Sequence, residues 1–169
     1  MSKKGFTLIE LMVVIAIIGV LSSVLAPQIF KQINKGRQSA VISFYNNLKT
    51  ATSSYYADTE TWPADTNSLT ATSSTTTGWA GPYIDRWPGA GPWAGSLYTW
   101  CAGSGTTCST SYGATTSSRV LTLSGGSTIT NADILEIDKK IDGSVSNLEG
   151  VVRYSSGATN ALTILISAN

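Results

Sequence analysis

Residues 6–26, FTLIELMVVIAIIGVLSSVLA, contain one charged side chain, Glu10. As a helix rising about 1.5 Å per residue, some ~21 residues reach roughly 30 Å, the thickness of a bilayer core. A small soluble core cannot absorb so long an apolar rod, so the stretch reads as a membrane-length helix and leaves the rest of the fold to the residues beyond Ala26. Lys3 and Lys4 lie just before it, while Lys31, Lys35 and Arg37 lie beyond it. With cations on both sides, charge bias orients the segment only weakly.

Two ordinary uses of such a stretch compete. A secretory signal would end at a small-residue cleavage site, and Val24-Leu25-Ala26 resembles one, but Pro27 directly after Ala26 opposes cleavage there. A plain anchor explains the length and not Glu10, because a carboxylate in hydrocarbon is costly unless something partners it. Glu10 therefore reads as a functional group awaiting a partner.

Composition narrows the remaining chemistry. With 42% hydrophobic and 12% charged residues in 169, the chain fits one modest domain plus an apolar element. A net charge of +1 offers no field for nucleic acid, so no direct nucleic-acid partner is expected. Histidine is absent, which removes the commonest general base and metal ligand. No nucleophile, base and orienter can be assembled from the sequence, so the chain is not expected to be an enzyme, and neither cofactor nor metal is expected.

Gly5-Phe6-Thr7-Leu8-Ile9-Glu10, behind a short basic leader and ahead of an unbroken apolar run, resembles the processing site of type IV pilins and of the related pseudopilins of type II secretion. The resemblance implies cleavage between Gly5 and Phe6 by a prepilin peptidase and N-methylation of Phe6. It implies an α+β fold, with a long N-terminal helix packed on a mostly antiparallel C-terminal sheet. Its layout is a leader at 1–5, a transmembrane and filament-core helix at 6–27, an amphipathic helical half at 28–57, and a globular head at 58–169. The implied partners are further copies of the chain in a helical filament, the prepilin peptidase, the inner-membrane pilus assembly machinery, and the membrane before assembly. The implied location is the inner membrane first and an extracellular pilus afterwards.

The family also supplies a partner for Glu10: the amine of Phe6 in an incoming copy. Pairing two desolvated charges selects an axial step, which is a better-attested use of a buried ion pair than net stability. Cohesion should come from Leu8, Ile9, Leu11, Val14, Ile15, Ile18, Val20 and Leu21 packing between copies. That packing gains no hydrophobic transfer energy over lipid, so assembly should need energy input. Gly19 and Pro27 sit where such pilins carry helix-weakening residues. Proline cannot donate to the Ser23 carbonyl, so residues 19–27 are the easiest part of the helix to unwind.

Past Pro27 the pattern turns amphipathic. Phe30, Ile33, Val41, Phe44, Leu48, Ala51 and Tyr55 fall at spacings of three and four, predicting one helix continued to about residue 57 with its stripe on a sheet. Residues 58–95 show no period but hold Trp62, Trp79, Trp87 and Trp93 among prolines and hydroxyls. They read as an ordered loop whose rings pin the backbone, with locally bonded indoles, rather than as a sugar-binding face. Strands are predicted at 96–101, 119–124, 150–155 and 161–167. Thr130-Asn131-Ala132-Asp133 starts a short helix that presents Ile134, Ile137 and Ile141 and stops at Gly143.

Cys101 and Cys108 enclose a Gly/Ser/Thr loop. Exported past a retained membrane helix they read as a disulfide stiffening one loop, since a metal set or a CxxC pair does not fit them. Many pilins place theirs nearer the C-terminus around a receptor-binding loop, so no adhesive role is carried over. Major pseudopilins bind calcium through acidic loops, but Asp133, Asp138 and Asp142 lack such spacing and read as solvated charges at a helix end. Residues 91–98, GPWAGSLY, resemble a pseudopilin loop without its usual acidic and amide residues. The chain reads as a structural subunit of a type IV pilus. The alternatives are a pseudopilin of a periplasmic pseudopilus and, from another class, a membrane-tethered glycan-binding module.

Overall fold

A computed structural model of the chain describes residues 5–102, 118–125, 129–143, 150–155 and 161–167. It divides into two compact units, one ending at Gly36 and one beginning at Arg37. Helix α1, Leu8–Thr59, contributes to both. In the first unit its large apolar side chains are exposed. In the second, α1 buries Gln38, Val41, Tyr45, Leu48, Thr52, Tyr55 and Thr59, steps of three and four that mark one face of a helix. Phe30 and Ile33, expected on this stripe, belong to the first unit and are exposed at 68% and 45%. A 3.6-residue period continues whether or not a sheet lies beneath it, so it could not locate where the sheet begins.

The second unit holds a short helix α2 (Thr66–Thr70), strands β1 (Leu97–Ala102) and β2 (Arg119–Ser124), helix α3 (Asn131–Asp142), and strands β3 (Val152–Ser155) and β4 (Ala161–Ser167). The strands form one antiparallel sheet in the order β1-β2-β4-β3. Its inward layer, Tyr98, Leu121, Leu123, Val152, Leu162 and Ile164, joins Val41, Tyr45, Leu48 and Tyr55 of α1 in a single core. Leu121 and Leu123 of β2, and Leu162 and Ile164 of β4, enter this core at the two-residue period of a strand, while Thr122 and Thr163 between them are buried as well. The first and third strands start later than expected. Ser96 is held in a turn, its N–H and Oγ both donating to the Trp93 carbonyl at 3.0 and 2.7 Å. Gly150 has φ 90°, outside the strand region, and a Cβ there would collide with the Asp142 carboxylate.

Helix α3 begins in a capping box. Thr130 Oγ1 accepts from the Asp133 N–H at 3.2 Å, and Asp133 Oδ2 accepts from the Thr130 N–H at 3.2 Å and its hydroxyl at 2.7 Å. Asp133 Oδ1 accepts from Gln38 Nε2 of α1 at 3.0 Å. Asp133 and Asp138 are 4% and 1% exposed, which corrects the expectation of solvated helix-end charges. Residues 134, 137, 138 and 141 share a helical face, so Asp138 goes inward with the isoleucines. Asp142 Oδ2 accepts from the Val152 N–H at 2.9 Å and ties the end of α3 to β3. Thr130→Ala removes the cap and a donor to a buried carboxylate. It is expected to cost about 1 to 2 kcal/mol in denaturant unfolding of the detergent-solubilised chain.

Burial pushes the Tyr98 phenol up to about 12. The unfolded chain then gives up this proton near the ordinary phenol value of about 10 while the folded one holds it. The contribution is therefore intact below about pH 10 and lost as pH climbs toward 12. Head stability is expected to fall across that window and Tyr98→Phe to blunt the fall, which a pH series of thermal melts would read.

Candidate assembly site on the N-terminal helix

The apolar stretch is helical from Leu8, and its most apolar window has a mean hydropathy of 2.7, long and apolar enough to cross a membrane. Gly5 and Phe6 precede the helix outside any regular element, and Phe6 is 90% exposed. The Gly5–Phe6 bond thus lies in exposed, non-helical backbone.

Glu10 has a local partner that the sequence reading did not include. Its Oε2 accepts from the Thr7 N–H and the Thr7 hydroxyl, each at 2.8 Å, while Thr7 Oγ1 receives the Glu10 N–H at 3.4 Å. Thr7 and Glu10 form a reciprocal cap at the start of α1, and the signal was legible as T-x-x-E ahead of an apolar run. A carboxylate in the first turn also faces the positive end of the helix dipole. Both Thr7 bonds fall on one oxygen; Oε1 makes no hydrogen bond among the described residues. The carboxylate is oriented by its own chain through one oxygen.

Gly19 and Pro27 both lie inside α1, which is helical throughout. A side chain at Gly19 would meet nothing within 4 Å, so packing inside the chain does not require glycine there. Pro27 leaves the Ser23 carbonyl without its helical donor, and the Ser23 hydroxyl donates to the Val20 carbonyl at 2.7 Å. Cys101 is buried in β1; Cys108 lies outside the described residues, and so does the expected Cys101–Cys108 pairing.

The aromatic loop is bound to α1 and the sheet. Trp62 stacks on Tyr56 at 4.6 Å, Tyr83 meets Tyr55 at 5.4 Å, and Trp87 meets Phe44 at 5.4 Å. Trp79 Nε1 donates to the Ser68 carbonyl and Trp87 Nε1 to the Tyr98 carbonyl, both at 3.3 Å. Trp93 is 1% exposed, and its Nε1, like that of Trp62, has no partner among the described residues. Local indole bonding thus holds for two of the four rings. Asp65 caps α2, an element not foreseen, by accepting from the Ser68 N–H at 2.8 Å, and Leu69 is buried beneath the loop. Beside the loop a groove of about 680 Å³ runs along Asn47, Thr50 and Ser54 of α1. Among the described residues no group of three or more His, Cys, Asp or Glu could hold a metal ion.

Comparison with known proteins finds two family models. One, the prokaryotic N-terminal methylation motif, matches residues 1–26; the other, described as PilW, C-terminal, matches residues 32–107. The chain is similar to Fimbrial protein EcpC of Eikenella corrodens, 44% identical over 63 residues, covering 37% of this chain and 41% of the relative. It is similar to Type IV major pilin protein PilE of Neisseria gonorrhoeae, 40% identical over 72 residues, 43% of each. It is also 36% identical over 70 residues to Type II secretion system core protein G of Klebsiella michiganensis, covering 41% of this chain and 49% of that protein. The aligned part therefore spans less than half of each of these relatives. No solved structure matches the chain.

Proposed function

We propose that this chain, similar in its N-terminal part to type IV pilins and a type II secretion core protein, is a structural subunit of a type IV pilus. It assembles into a helical filament through its N-terminal helix. The observation that carries the reading is Glu10: a carboxylate on an exposed, membrane-length apolar helix, capped by Thr7 on one oxygen and open on the other.

In this reading a prepilin peptidase cuts after Gly5 and methylates the amine of Phe6. The subunit waits in the inner membrane on residues 6–27. An inner-membrane machine draws it into the filament and so to the outside of the cell. There the Phe6 amine of one copy meets Glu10 of another. The local cap refines the chemistry: the incoming amine has one carboxylate oxygen to itself, at a position Thr7 has already oriented. Residues 28–57 carry the helix into the head at 58–169. Gly19 and Pro27 mark where α1 unwinds to fit the filament, and Cys101 pairs with Cys108 within the head. The role is structural and not enzymatic. The four loop tryptophans are buried or half-buried against the head, which leaves little ring surface for a glycan-binding module.

A second reading, a pseudopilin of a periplasmic pseudopilus, is favoured by the likeness to a type II secretion core protein. Electron microscopy of sheared surface fibres, with mass spectrometry of the subunit N-terminus, decides. Long fibres whose subunit begins at methylated Phe6 are expected. Normal fibres beginning at Met1 would overturn the pilin reading, and absent fibres with loss of protein export on deletion would move it to the pseudopilus.

A further inference from the structure

Among the described residues β1 and β3 are the two edges of the sheet, and an edge strand presents main-chain groups to which another chain can add a strand. Both edges of this sheet are met by groups of the chain itself. At β1 the Ser96 carbonyl accepts from the Gly91 N–H at 2.7 Å, and two residues on, facing the same side, the Tyr98 carbonyl accepts from Trp87 Nε1 at 3.3 Å. The Trp87 ring is held edge-on against Phe44 of α1, with centroids 5.4 Å apart. At β3 the Leu165 N–H of β4 donates to the Val151 carbonyl at 2.8 Å, so the next residue faces away from β4. That residue is Val152, and its N–H donates to Asp142 Oδ2 at 2.9 Å.

We infer that Trp87 and Asp142 guard the sheet: each holds an outward main-chain group of an edge strand, so that heads brought side by side do not pair edge to edge. The partner kept out is the edge strand of a second head. The hazard is greatest at β1, whose sequence LYTWCA has no charge, proline or glycine, the composition of a segment that stacks on copies of itself. Leu97 in that strand is 53% exposed. Strand β3 contains Arg153, and a charge on an edge discourages pairing by itself. The holding follows the hazard, with two successive carbonyls met at β1 and one N–H at β3. A strand adding to β1 has to displace the indole from Tyr98 before its ladder can close. One adding to β3 takes from the Asp142 carboxylate the Val152 donor that it now has. The guards lie in the head and act whether or not the chain builds a filament.

The test uses the full chain dispersed in detergent, with thioflavin fluorescence reporting stacked strands. Trp87→Phe keeps a ring against Phe44 and removes the Nε1 donor. Trp79→Phe is the control, because it removes an indole bond of the same length, 3.3 Å, to the Ser68 carbonyl of α2 rather than to the sheet. Each variant is held the same number of degrees below its own melting temperature. Trp87→Phe is expected to gain signal roughly twofold to tenfold faster than Trp79→Phe, the factor that one hydrogen bond confers. Equal rates overturn the guard role of Trp87, since lost stability then accounts for both. At β3, Asp142→Asn keeps an acceptor for the Val152 N–H and Asp142→Ala does not. The alanine variant is expected to be the faster by a similar factor, and equal rates for this pair overturn the guard role of Asp142. Should Trp87→Phe fail to fold, the two Asp142 variants decide the inference alone.

Discussion

Glu10→Ala is expected to leave a subunit that is cleaved, methylated and retained in the membrane, while surface fibre falls on the order of a hundredfold or more. The asymmetry is electrostatic. In the filament the variant strands the Phe6 amine of the next copy in an apolar core, and removing one member of a buried pair costs more than the pair itself contributes. In the membrane the same change removes an intramembrane carboxylate and eases insertion. It also removes the Thr7 cap, so Thr7→Ala separates the two roles. If the cap only starts the helix, Thr7→Ala mildly lowers helicity and leaves fibres normal. If it aims the carboxylate, fibre yield falls with Glu10 still present. Quantitative fibre shearing beside immunoblots of membrane subunit reads both, and normal fibres from Glu10→Ala would remove the central reading.

Trp93→Ala is expected to destabilise the head by about 3 to 5 kcal/mol, a large share of the roughly 5 to 15 kcal/mol available to a domain. The indole is 1% exposed in the shared core of helix and sheet. Its backbone closes the turn into β1 through Ser96, whose hydroxyl also accepts from the Trp93 N–H at 3.2 Å. Trp93→Phe should cost far less, about 1 to 2 kcal/mol, because it keeps an aromatic ring and removes an Nε1 donor that has no partner among the described residues. Denaturant melts followed by circular dichroism would rank the two. A phenylalanine variant as unstable as the alanine one would mean that the indole N–H is bonded after all.

Short-range physics was readable in advance. The capping box and glycine stop of α3 and β4 at 161–167 were legible because a cap, or an alternation such as Leu162, Ile164 and Ile166, lies within a few neighbouring residues. The capping of Glu10 by Thr7 was equally local, but a carboxylate in an apolar run points first to a partner outside the chain, and that hid the nearer one.

The sequence by itself determined the membrane-length helix with one carboxylate, since bilayer thickness sets the length and a charge in hydrocarbon demands a partner. It also determined the α+β division, through a change of hydrophobic period from 3.6 to 2. Only the tertiary structure decided that Gln38 of α1 meets Asp133 of α3, that Asp138 goes inward, that Phe30 and Ile33 stand exposed, and that β4 lies between β2 and β3. Each of these depends on groups far apart in the chain. Burial of a polar side chain depends on whether the fold brings it a partner, and a local period carries no information about that.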